Sequence, residues 1–149
     1  MWFCVYVEKG ANQLIKKYVN YEIVQMYRTL VDQSSFLNSK NIKSVWGVHL
    51  PVKKNLDKIS QVVSAIEDVE NLIKTKYSAD EFSEEYDGGR KIKKQYEKQY
   101  LDDITEINVQ ESEIDFTPIR ESDLSKFMEL NEGIITSAEA NILYEMMEV

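Results

Sequence analysis

Residues 51–77, PVKKNLDKISQVVSAIEDVENLIKTKY, decide the reading of the whole chain. Val52, Leu56, Ile59, Val63, Ile66, Val69 and Ile73 recur at steps of three and four, and Val62 and Leu72 widen the stripe. Such steps return to one side of a 3.6-residue helix, whereas a strand would need alternation. The opposite face carries Lys53, Lys54, Asp57, Lys58, Glu67, Asp68 and Glu70. Pro51, with its ring-fixed φ and missing N–H, suits the first turn, so a long amphipathic helix is expected from about 52 to 77.

A second stripe answers the first. Ile92, Tyr96, Tyr100, Ile104 and Ile107 fall about four apart, which predicts a helix over 90–106. The two stripes would cover each other in an antiparallel hairpin, at on the order of 25 cal/mol per Å² of apolar area buried. Between them, Ser78-Ala79-Asp80-Glu81 has the form of a capping box, which predicts a short helix closed by the turn Asp87-Gly88-Gly89.

Upstream, the aromatic and β-branched run 2–8 reads as a strand, Lys9-Gly10-Ala11-Asn12 as a turn, and Gln13–Val19 as a returning strand. Asn20 stands where an N-cap is wanted, before a helix to about Ser34 carrying Ile23, Val24, Tyr27, Leu30 and Val31. Ile42–Leu50 is apolar and β-branched and reads as a short strand or extended segment. Downstream, Pro118 blocks a helix, and 108–120 reads as an edge strand with Val109, Ile114, Phe116 and Ile119 spaced by polar residues. Ser122 is read as the cap of a helix over 123–130, and Thr136-Ser137-Ala138-Glu139 as a capping box before 140–148. The expected architecture is a mainly α single domain over 1–149: an antiparallel long-helix hairpin with shorter flanking helices and a small β element, with α+β as the alternative.

Composition bounds the chemistry. With 149 residues, 43 % apolar and 30 % charged, the chain has globular rather than disordered composition. Cys4 is the single cysteine, so no internal disulfide forms; in its apolar run it reads as a small hydrophobe with no basic neighbour to lower its pKa. The opening run 1–7 is too short for a signal peptide or a membrane span and is ended by Glu8 and Lys9, so a cytoplasmic location is expected. His49, the only histidine, lacks the neighbouring ligands that zinc or iron requires. Asp87-Gly88-Gly89-Arg90-Lys91 has neither P-loop nor dinucleotide spacing. No catalytic constellation, cofactor or metal site is expected, and the chain reads as a non-enzymatic protein.

Charge is what remains. The net charge is −8, but residues 1–78 hold 11 Lys/Arg against 7 Asp/Glu while 79–149 hold 7 against 19. Lys91, Lys93, Lys94 and Lys98 form a small basic patch beside Tyr96 and Tyr100, set in acidic surroundings that oppose a phosphate backbone. Direct nucleic-acid binding is therefore not expected. Asp102, Asp103 and Glu106 could suggest a metal, but no second carboxylate pair or Glu-x-x-His element completes a di-metal site. The acidic run Glu84, Glu85, Asp87, Asp102, Asp103, Glu106, Glu111, Glu113 and Asp115, continued by Glu121 and Asp123, is the candidate partner-binding surface. It reads either as a solvated face or as a row of carboxylates that imitates phosphates before a basic groove.

A resemblance adds context. Asn20-Tyr21-Glu22-Ile23, then Leu50-Pro51-Val52-Lys53-Lys54-Asn55, and Glu67 to Tyr77 come in an order that is followed by Tyr96-Glu97-Lys98-Gln99-Tyr100-Leu101. Val109 to Ile119, containing Glu113-Ile114-Asp115-Phe116, and a last helix with Thr136 near its start complete the order. Over about residues 13–149 the chain resembles a family of small proteins encoded by tailed phages and prophages, domain of unknown function 1617. None of these motifs is catalytic, and no functional residue is carried over. The resemblance implies a viral origin, in the host cytoplasm or the virion, and a protein partner, either a virion component or a host factor; the acidic balance of residues 79–149 points, for the second, to a nucleic-acid-binding or anti-phage defence protein. A homo-oligomer is compatible with either.

Overall fold

The computed structural model describes residues 5–7, 13–31, 36 and 41–149. Cys4, the 9–12 turn, the flanks of the 2–8 strand and the expected extension of the first helix to Ser34 lie outside the described residues. The elements run β1 (Val5–Val7), β2 (Leu14–Val19), α1 (Asn20–Val31), α2 (Trp46–Tyr77), β3 (Ser83–Tyr86), β4 (Gly89–Ile92), α3 (Glu97–Val109), β5 (Glu111–Phe116), α4 (Glu121–Leu130) and α5 (Ser137–Glu145). The fold is mainly α with small β elements, built around the 32-residue α2.

At a rise of about 1.5 Å per residue α2 is about 48 Å long, longer than one core can cover. Its first half is embedded. Val48, Val52, Ile59 and Val63 point into a core completed by Leu14 and Tyr18 of β2, Ile23, Met26 and Leu30 of α1, and Phe127 and Leu143 of the last two helices. The three-stranded antiparallel sheet, ordered β1-β2-β5, lies against this core. Alternation decides its faces: Ile114 and Phe116 are buried while Glu111, Glu113 and Asp115 are exposed. Tyr18 and Phe116 meet edge-on at 6.3 Å between centroids.

Buried asparagines stitch the core. Asn55, fully buried, donates to the Thr117 carbonyl at 2.9 Å and accepts from the Thr117 N–H at 2.7 Å, which pins the end of β5 to α2. Asn131 makes the same paired contact with the backbone of Lys43, at 3.0 and 2.6 Å. Asn20, the first residue of α1, reaches away from its own helix: its amide donates to the Ile107 carbonyl and its oxygen accepts from the Ser112 hydroxyl, joining α1 to the α3–β5 corner.

Several expectations are corrected. Residues 46–50 are helical rather than extended, so Pro51 sits inside α2 and deprives the Gly47 carbonyl of its donor. Val45, Val48 and Val52 continue the buried stripe, and that burial outweighs their β propensity. Gly47 admits Asp123 of α4 so closely that a Cβ there would stand 2.2 Å from Oδ2. Ser78 closes α2, its hydroxyl donating to the Lys74 carbonyl, and does not open a helix. The segment 83–92 is a β-hairpin, so the third helix begins at Glu97 rather than at 90. Asp87 (φ 43) and Gly88 (φ 81) supply the two left-handed residues of a tight hairpin turn, a local signal stronger than the capping-box pattern before it. Arg120, not Ser122, precedes α4, whereas the Thr136–Glu139 capping box forms as expected.

Candidate binding surface

Beyond Val63 burial along α2 thins out, and the stretch from here through the hairpin and α3 is termed the arm. The last turns of α2 pack against α3, with Ile66 and Tyr77 buried and Ile73 half-buried, but no residue of α3 is itself buried. The antiparallel helix pair is therefore confined to this half, and the two stripes do not cover each other along their length. Val69 and Leu72, expected in the stripe, are 44 % and 70 % exposed. The arm ends in a small aromatic cluster where Phe82 lies 5.0 Å from Tyr77 and 4.9 Å from Tyr96, and Tyr100 lies 5.3 Å from Tyr77. Tyr77 donates to Asp103 Oδ2 at 2.6 Å; burial first, and then this carboxylate, push the phenol pKa above 10.0.

The nine carboxylates of the acidic run fall into three groups. Glu84, Glu85 and Asp87 sit on the hairpin, where Glu84 faces Lys91 and Glu85 faces Arg90 across the strands. These acids are interleaved with cations and do not form a single-sign surface. On α3, Asp103 turns inward to Tyr77 and to Lys76, 3.6 Å away, while Asp102 and Glu106 are exposed. On β5, Glu111, Glu113 and Asp115 share the outer face, with Lys17 of β2 3.9 Å from Glu111 and 4.0 Å from Glu113. Because α3 leads into β5 through Gln110 alone, the last two groups follow one another. At about 1.5 Å per helical and about 3.4 Å per strand residue, the path along the chain from Asp102 to Asp115 is roughly 30 Å. Glu121 and Asp123 lie apart, in the first turn of α4.

The basic patch is partly committed too. Lys93 donates to the carbonyls of Asp80 and Glu81, and Lys91 stands 4.9 Å from the centre of the Tyr86 ring. His49 is half-buried, Nδ1 3.2 Å from the Val45 carbonyl oxygen and its ring edge-on to Phe127. Among the described residues no group of three or more His, Cys, Asp or Glu is arranged to hold a metal ion, and no helix is long and apolar enough to cross a membrane.

One feature was not expected: a groove of about 450 Å³ between α2 and the edge of β5, lined by Lys58, Gln61, Val62 and Ala65 on one wall and 112–115 on the other. Its signal in the sequence was divided, since 108–120 read as an edge strand and Val62 and Ala65 as parts of a helix, with nothing local to place the two side by side. No protein-family model, curated protein or solved structure matches the chain, so its surface must speak from its own chemistry.

Proposed function

We propose that this protein acts without catalysis, by binding another protein through the acidic face of α3 and β5. The observation that carries this reading is the exposed succession Asp102, Glu106, Glu111, Glu113, Asp115 along α3 and β5, on a molecule that also leaves the apolar Val69 and Leu72 of α2 exposed. Such a face orients and accelerates encounter with a basic partner, while the apolar residues supply area to be buried. The resemblance to small phage proteins supports a virion or assembly component as the setting. A second reading, inhibition of a host nucleic-acid-binding or defence protein, is favoured by Glu111, Glu113 and Asp115 alternating on one face of β5 about 7 Å apart, which suits a groove that otherwise holds phosphates.

Affinity capture tests both, with purified virions, assembly intermediates and host lysate as sources. Screening acts beyond roughly 10 Å at about 0.1 M salt, so capture through exposed carboxylates falls steeply as salt rises. Reversal of Asp102, Glu106, Glu111 and Glu113 to Lys is expected to abolish capture while circular dichroism stays unchanged. Capture that survives both treatments would overturn the acidic-face reading. A partner found only in host lysate would decide for the inhibitor, and one found only in virions for the assembly role.

A further inference from the structure

β5 is an edge strand: the sheet ends with it, and its far side faces α2 across the groove. The backbone groups on that side can be identified. The Asp115 carbonyl accepts from Lys58 Nζ of α2, and both backbone groups of Thr117 are held by Asn55 of the same helix. Backbone groups alternate sides along a strand, so those of Glu111 and Glu113 point the same way, away from β2, with Glu113 lining the groove. An open edge of this kind is a template for a further strand. Lys58 guards only its Asp115 end.

We propose that the free edge of β5 takes an added strand from the partner, an extended segment with Lys or Arg at alternate positions and apolar residues between them. This rests on the acidic-face reading and names the form of its partner. The pleat fixes the pattern. On the outer face, side chains of the added strand stand beside Glu111 and Glu113, where opposite charges pair favourably. On the inner face they lie over Val62 and Ala65, and the exposed Val69 and Leu72 extend that floor along α2. A second copy of this chain is the wrong occupant. Antiparallel pairing of two β5 edges about Glu113 would set Glu113 against Glu113 and Glu111 against Asp115, and like charges directly opposite destabilise a pair. The acidic edge thus opposes self-association and admits a basic strand, an addition in which main-chain bonds give affinity and alternate side chains give specificity.

The test uses the full chain and a synthetic peptide alternating lysine and valine, with an analogue N-methylated along one edge and a glutamate–valine analogue as controls. Amide hydrogen exchange is read residue by residue. In the free protein Glu111 and Glu113 exchange faster than Ser112 and Ile114, whose amides face β2. The lysine peptide slows Glu111 and Glu113, the N-methylated analogue binds about tenfold or more weakly because it lacks those bonds, and the glutamate analogue does not bind. Glu113→Pro, which removes one edge N–H at a position where an edge strand tolerates proline, loses the peptide, whereas Glu113→Gln retains it with reduced salt dependence. Absence of binding, binding without protection of Glu111 and Glu113, or equal affinity for the N-methylated analogue would each overturn strand addition. In those cases partner capture that is still lost on charge reversal leaves the acidic-face reading standing, so the two fail separately.

Discussion

The two halves of α2 are one helix with one periodic pattern and two different fates. From Val48 to Val63 the stripe is enclosed by a sheet, α1 and the last two helices, and Ile59 is fully buried. From Glu67 to Tyr77 the same periodicity meets α3 and the segment around the hairpin, and Leu72 is 70 % exposed. Apolar spacing therefore states which side of a helix can be buried, and the number of neighbouring elements states how much of it is. An apolar side chain left at the surface beside a groove is available to a partner, which is why the functional proposals fall on the arm and its junction with β5.

Paired truncations would break this comparison most directly. Ile59→Ala removes a fully enclosed side chain and is expected to cost about 4 kcal/mol by chemical denaturation, whereas Leu72→Ala should stay within about 0.5 kcal/mol. Equal costs would mean that the arm is as well packed as the head. Next in size is Asn55→Ala, which leaves both backbone groups of the half-buried Thr117 without their partner. The expected loss is about 3 kcal/mol, with faster amide exchange at Thr117 as the local sign. If the loss were under about 1 kcal/mol, the attachment of β5 to α2 would have to lie elsewhere.

The smallest effect belongs to the arm's own cluster. The Tyr77 phenol is raised above 10.0 in the folded chain, so on unfolding it ionises more readily. Its contribution is whole below pH 10.0 and is lost as the pH climbs from there through the folded value. The arm should therefore loosen at strongly alkaline pH, seen as faster amide exchange in α3, and Tyr77→Phe should flatten that dependence. A Tyr77→Phe variant with the same alkaline profile would show that another group is responsible.

Much of this architecture was legible residue by residue. Steps of three and four between Val52 and Ile73 announce α2, Thr136 and Glu139 announce α5, and alternation in 111–116 announces a half-buried strand. Each is a local rule, satisfied within a few residues of backbone. The misreadings occurred where two local rules competed: the capping-box pattern at Ser78 against the Asp87-Gly88 hairpin turn, and the β-branched run before Pro51 against a helix that continues through it. Long-range contacts settled the second, since Val45 and Val48 gain more from the core than their strand preference opposes.

The candidate surface was half legible. The acidic residues could be named from the sequence, and the structure then divided them, interleaving the hairpin acids with Lys91 and Arg90, turning Asp103 toward Tyr77, and leaving the rest exposed on the consecutive elements α3 and β5. The sequence by itself determined the helix periods, the caps and turns, and the charge of residues 79–149, because these depend on neighbours in the chain. Only the tertiary structure decided that Asn20 and Asn55 bind backbone far away, that Gly47 makes room for Asp123, that half of α2 stays uncovered, and that the edge of β5 opens onto a groove. Each of those depends on which surfaces distant segments bring to one place, and burial, unlike periodicity, is a property of the pair.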